Sequence, residues 1–178
     1  MKRGIFFIII FVSYSCIVSA QYKGYPNQPF SALKSTPGFI TINELTGGIG
    51  LSGTSAKYSK YFWGFTSVNG YQINRNFIAG AGIGLSFYED GLLVPLFLDF
   101  RFAFKVGKLT PYLFADGGLL INFSYFDGTN LFINPGVGAR YSLNRNFALN
   151  LGAGILSQVD GVNRESFANL KLGVVYKF

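Results

Sequence analysis

The 178-residue chain has no histidine and a single cysteine, Cys16. Lack of histidine removes the side chain that most often acts as a general base near neutral pH or binds a metal. Cys16 sits in an apolar N-terminal segment, so the remainder of the chain can form no disulfide and offers no thiolate. Charge is scarce too. Asp, Glu, Lys and Arg make up 13% of the residues, about half the share usual in a soluble domain. The formal charge is +7, or +5 without Lys2 and Arg3. These bases are dispersed and do not form the basic stripe that nucleic acid requires, so no nucleic-acid partner is expected. The longest apolar run, GIFFIIIFV, is too short to cross a bilayer as a helix.

What the chain has instead is 49% hydrophobic residues, 18% aromatics and 23 glycines, an oily, Gly-aromatic composition that calls for an unusual environment. Residues 1–20 read as a secretory signal peptide. Lys2 and Arg3 precede the apolar run, and Val18-Ser19-Ala20 forms a small-residue cleavage site before Gln21. A lipid-modified Cys16 is the alternative, but Ser13 stands where such signals carry Leu. Residues 21–37 are polar, contain three prolines and read as an extended leader with no core residue.

From residue 38 to 178 the chain reads as eight strand-like runs: Gly38 to Ser52, Tyr61 to Ile73, Phe77 to Tyr88, Leu92 to Lys105, Thr110 to Phe123, Leu131 to Leu143, Phe147 to Gln158 and Phe167 to Phe178. Two of the connections are near-copies. YQINRNFIAGAGIGL from Tyr71 returns as YSLNRNFALNLGAGI from Tyr141. In each, an Asn-Arg-Asn turn (Asn74, Arg75, Asn76; Asn144, Arg145, Asn146) supplies side chains that bond their own backbone. With Val106-Gly107-Lys108 they form a short-turn end. Longer connections near 53–60, 124–130 and 159–166 form the other, with Glu89-Asp90-Gly91 the one tight exception there.

Strand parity distinguishes two kinds of barrel. In the fourth run Val94, Leu96, Leu98, Phe100, Phe102 and Phe104 share one face, opposed by Pro95, Phe97, Asp99, Arg101 and Lys105. The third and eighth runs repeat the scheme, with Gly80, Gly82, Gly84 and Ser86, then Asn169, Lys171, Gly173 and Lys177, on the small or polar face. A soluble barrel would hold its large apolar residues inside. Lipid outside resolves the inversion, so the predicted fold is all-β, an eight-stranded antiparallel up-and-down transmembrane barrel. Runs of this length suit the roughly 9–11 residues of a tilted spanning strand. The second run fits least well, because Ser67 and Asn69 share a face with Trp63, Phe65 and Tyr71. That mismatch predicts a bulge or register change near Gly70. Aromatics near both ends of the runs, among them Tyr112 at one end and Phe62, Tyr88 and Phe132 at the other, read as interfacial girdles.

The signal segment, the alternating strands and the C-terminal LKLGVVYKF together resemble the small outer-membrane β-barrel proteins of the OmpX and OmpA transmembrane-domain type, the porin family in the broad sense. The resemblance covers 38–178. It implies an outer-membrane location in a Gram-negative bacterium, with the N-terminus and short turns in the periplasm. It also implies membrane lipid as surroundings and an assembly signal in Tyr176 and Phe178 that is read by the barrel-assembly machinery.

Catalytic readings fare poorly. Gly80-Ala81-Gly82-Ile83-Gly84 has no following helix and so lacks the context of a phosphate-binding loop. Barrel enzymes of the outer membrane use histidine, which is absent. A carboxylate-only hydrolase built on Asp99 and Asp116 competes with the reading of both as structural ion-pair partners. Asn122-Phe123-Ser124 matches a glycosylation sequon, idle in a bacterial membrane. No cofactor and no metal are expected. By parity, Asp99, Arg101, Asp116 and Arg140 point inward, and the expectation is that they form one ionic layer plugging the lumen. The expected role is a monomeric structural or surface-interaction protein with an unidentified extracellular partner. A small-solute channel is the alternative and a soluble lipocalin-like binder a third reading.

Overall fold

The computed structural model describes residues 33–34, 36–51, 60–89, 91–104, 107–122, 129–160 and 163–178. The signal segment and most of the leader lie outside them, as do most of the connections at 53–60 and 124–130. Eight strands follow one another: β1 (Gly38–Gly50), β2 (Tyr61–Gln72), β3 (Phe77–Tyr88), β4 (Gly91–Ala103), β5 (Leu109–Asn122), β6 (Thr129–Ser142), β7 (Phe147–Asp160) and β8 (Asn163–Lys177). Each pairs antiparallel with its sequence neighbours, and β8 returns to β1, so the sheet closes with no free edge.

Following the register from Ile40 through Gly70, Gly80, Asp99, Asp116 and Asn134, then across β6–β7, where Ile133 pairs with Ser157 and Gly136 with Gly154, to Phe167 leads back to β1 at Gly50. That stagger, from position 40 to position 50, tilts the strands. A barrel of eight such strands encloses just enough room for side chains.

Parity holds as expected in β3, β4 and β8. Ile83, Leu98 and Leu172 stand outside at 56%, 55% and 58% exposure, whereas Asp99 and Lys177 inside are at 0%. Inner-wall glycine makes room for the lumen's aromatics. A Cβ on Gly82 would enter the Phe97 ring, and Gly82 and Gly118 both lie opposite Phe97 in register.

Several expectations are corrected. β2 carries no bulge: its pairing with β1 runs unbroken from Gln72 to Tyr61 and with β3 from Gln72 to Phe62. Ser67 and Asn69 therefore do face outward. The connection at 159–166 is not a long loop, because β7 and β8 stay paired up to Asp160 and Asn163. Four of the supposed girdle aromatics sit in the lumen. Phe62, Tyr112 and Phe132 are buried and Tyr88 is half-buried. All four have inward parity, and parity decides their side of the wall even near a strand end. The leader is also not free of core residues. Leu33 is buried at the short-turn end together with Ile40, Ile78, Ala148 and Val175.

Candidate functional site: the filled lumen

At the short-turn end the twin turns are built alike. Asn74 Oδ1 accepts from the backbone N–H groups of Asn76 and Phe77, both at 2.9 Å, and Asn144 Oδ1 accepts from Asn146 and Phe147, both at 2.8 Å. The last Asn of each then reaches to the next strand. Asn76 Nδ2 donates to the Ala103 carbonyl and Asn146 Nδ2 to the Lys177 carbonyl, each at 2.6 Å. Arg75 and Arg145 occupy the turns between them and are exposed. The leader is moored here. Lys177 Nζ, on a fully buried side chain, donates to the carbonyls of Lys34 and Thr36 and to Gln72 Oε1. Leu33 N donates to Ser142 Oγ, and Lys34 N to the Arg145 carbonyl.

In the middle of the lumen Arg101 is held between two carboxylates. It donates both terminal nitrogens to Glu44, at 2.8 and 2.9 Å, and its Nε and one terminal nitrogen to Asp99, at 2.8 to 3.0 Å. None of the three side chains is more than 2% exposed. Bidentate guanidinium–carboxylate geometry of this kind is what allows buried charge to persist. Beside it, Lys171 Nζ contacts Asp116 Oδ2 and lies 3.7 Å from Glu44 Oε2. Asparagines extend the network. Asn134 donates to Asp116 at 3.1 Å and Asn169 donates to Asn134 at 3.2 Å. Asp116 Oδ1 and the hydroxyls of Thr46 and Thr66, which have no hydrogen-bond partner among the described residues, border a cavity of about 30 Å³, large enough for a water.

Of the four residues expected to share one layer, the structure brings Asp99, Arg101 and Asp116 together. Asp99 and Asp116 face each other in register. Arg140 is set apart, and this corrects the expectation. The β5–β6 register pairs Asp116 with Asn134 and leaves Arg140 beside Thr110. Arg140 donates through Nε to Asn150 Oδ1 at 3.1 Å, and its guanidinium stacks on Tyr112 at 5.6 Å, with Arg101 at 5.6 Å from the same ring. Asn150 in turn lies 3.5 Å from Glu44, so an amide bridges Arg140 to that carboxylate. The residues missed were Glu44 and Lys171. Lys171 had an inward parity signal in the sequence; Glu44 had none that could be read, because apolar Ile40 and Ile42 face inward beside it and polar Thr41 and Asn43 outward.

Above the ionic level, toward the long-loop end, aromatic rings fill the lumen. Phe62 stacks on Tyr88 at 5.3 Å and meets Phe167 edge-on at 5.3 Å, while Phe97 meets Phe132 at 5.9 Å. Outside, rings line two levels. Trp63 stacks on Phe87 at 4.4 Å at one, and Phe39–Tyr71 and Phe147–Tyr176–Phe178 gather at the other. Phe178 is 62% exposed and Tyr176 half-buried. The arrangement can fill and seal a lumen.

No protein-family model and no curated protein matches the chain. Solved structures do. Neisserial surface protein A is 16% identical at a TM-score of 0.62, over 80% of this chain and 99% of its own. A de novo designed transmembrane β-barrel gives 18% and 0.53, over 82% and 100%. The outer membrane protein OprG from Pseudomonas aeruginosa gives 14% and 0.52, over 83% and 98%. At such identities the likeness is one of fold. The chain has the fold of the small eight-stranded outer-membrane barrels.

Proposed function

We propose that this protein is a lipid-embedded outer-membrane barrel with a sealed lumen, serving as a non-enzymatic structural or surface-interaction protein. One observation carries the reading: the apolar residues are on the outside and the paired charges on the inside. An exposed belt including Leu98, Leu131 and Leu172 has no aqueous rationale, and a lumen holding Glu44, Asp99 and Arg101 has no soluble-barrel counterpart. The aromatic levels at Trp63–Phe87 and Phe39–Tyr71 support a bilayer slab between them. In this reading residues 1–20 direct export, and mature protein begins at Gln21. The Asn-Arg-Asn turns and the moored leader face the periplasm, and the Tyr176–Phe178 end is the signal for the barrel-assembly machinery. The long-loop end meets the partner outside the cell.

A sealed lumen separates this from the channel alternative. Ionic and aromatic levels succeed one another along the axis, and two cavities bordered by lumen side chains measure about 20 and 30 Å³. The test is cell fractionation followed by planar-bilayer recording of the purified, folded protein. Recovery from the outer membrane, heat-modifiable gel migration and negligible conductance are expected. Steady porin-like conductance would overturn the sealed-lumen reading, and aqueous partitioning in detergent extraction the membrane reading.

A further inference from the structure

Four polar side chains interrupt the apolar belt, and they are adjacent. Thr41 pairs with Asn69 and Asn43 with Ser67 across β1 and β2, all facing outward. Along this strand pair, outward rows run from Phe39–Tyr71 through Thr41–Asn69, Asn43–Ser67 and Leu45–Phe65 to Gly47–Trp63. Asn43 and Ser67 therefore lie midway between the two aromatic levels. If the belt is in lipid, as proposed above, this is the depth at which polar groups find no water.

Inside the block only Thr41 and Asn69 satisfy each other, the threonine hydroxyl donating to Asn69 Oδ1 at 2.9 Å. The Asn69 amide N–H groups, the whole Asn43 amide and the Ser67 hydroxyl have no side-chain partner among the described residues. Acyl chains cannot supply one. Elsewhere the outward residues of β3, of β4 and of β8 from Ala168 to Tyr176 are apolar, and the outward pair Ser157–Ser166 nearer the long-loop end is bonded to itself at 3.0 Å, so the block is not a general tolerance for unsatisfied polar residues.

We propose that this face of β1 and β2 is where two copies of the chain pair within the membrane. The inference rests on the membrane reading above. The occupant follows from the chemistry. An asparagine amide carries donors and an acceptor, and a serine hydroxyl carries both, so the block is complementary to itself. A two-fold axis through it sets each Asn43 against the polar block of the second copy, which is how an isologous interface satisfies itself. Ala79 and Ala81, outward on the adjoining β3 with Ala81 paired to Asn69, keep the flank low for close approach. The barrel itself needs no partner to close, so pairing adds an assembly state without altering the fold.

The test is disulfide trapping in membranes, in a Cys16→Ser background that leaves no native thiol. Ser67→Cys is compared with Val137→Cys, which is outward on β6 across the barrel. Each variant is first shown to be heat-modifiable and outer-membrane located, so failure of the membrane reading registers separately from failure of the pairing. Oxidation should yield a species of twice the monomer mass for Ser67→Cys and little for Val137→Cys. Adding Asn43→Leu and Asn69→Leu should lower that yield, consistent with a dissociation constant weakened on the order of tenfold by the lost hydrogen bonds. Both replacements suit a lipid-facing surface, and gel migration verifies folding. Equal trapping at both positions, a monomeric Ser67→Cys, an unchanged yield with the leucines, or an adduct to a protein of another mass would each overturn the proposal.

Discussion

Replacing Arg101 with methionine tests the buried cluster most directly. Methionine has similar length but no charge, so the substitution removes five hydrogen bonds to Glu44 and Asp99 while nearly filling the space. Asp99 then has no ion-pair partner among the described residues and still faces Asp116. Glu44 keeps Lys171 at 3.7 Å and Asn150 at 3.5 Å, a poor substitute for a bidentate guanidinium. Breaking a buried pair by deleting one partner costs about 3–5 kcal/mol. With a urea slope of about 2 kcal/mol per molar, that lowers the unfolding midpoint by about 2 M. The assay is urea unfolding in lipid vesicles, followed by the fluorescence of Trp63. It is the only tryptophan and stands on the outer face at 56% exposure, so it reports departure from lipid. A second variant removes the orphaned charges: Arg101→Met with Glu44→Gln and Asp99→Asn should recover much of the loss, because the penalty lies in the unpaired carboxylates. A midpoint for Arg101→Met equal to wild type would refute the reasoning. So would a triple variant no more stable than the single one.

Arg140→Ala should cost less, about 1–2 kcal/mol in the same titration, because it removes one hydrogen bond to Asn150 and a stacking contact with Tyr112; a loss as large as that of Arg101→Met would contradict its separation from the ionic cluster. Gly82→Leu forces a side chain into the Phe97 ring and should destabilise by about 1–3 kcal/mol, whereas Ala81→Leu on the outer face should not; equal effects would count against the packing account. Lys177→Met removes the moorings of the leader at Lys34 and Thr36 and should speed tryptic cleavage at Lys34, with an unchanged rate opposing the idea. Phe178→Asp should leave the chain in the periplasm as a protease-sensitive species, while wild-type yields of folded barrel would remove Phe178 from the assembly signal.

Much of the architecture was legible because alternation survives in most strands. β3 begins and ends at the residues read from the pattern, Phe77 and Tyr88. β1 is different. Its first inward residues are Ile40 and Ile42 and its outward ones Thr41 and Asn43, the reverse of β4, because the inner pair joins Leu33, Ile78 and Val175 in an apolar layer at the short-turn end. With polarity inverted over its first half, β1 gives no parity to read, and Glu44 stays hidden as a lumen residue. β2 reads as faulty for the same reason. Its Ser67 and Asn69 belong to a real outward polar block, and a bulge was the wrong remedy for a pattern that had no error.

The ionic partners depended on a quantity the pattern does not contain. Folding β4 on β5 about their turn rightly sets Asp99 against Asp116, because a hairpin register follows from turn length. Extending that argument across the 124–130 connection requires its length in paired residues, and an error there displaces every contact along β6. Asn134 stands opposite Asp116 where Arg140 was expected within diagonal reach. Contacts across the lumen lie further off still. Glu44 reaches Arg101 and Lys171 reaches Asp116 without any pairing of their strands, brought level by the stagger of the closed sheet from Ile40 to Gly50. Residue type and parity say which charges enter the lumen. Only the stagger and tilt say at what height each one arrives, and therefore which acid meets which base.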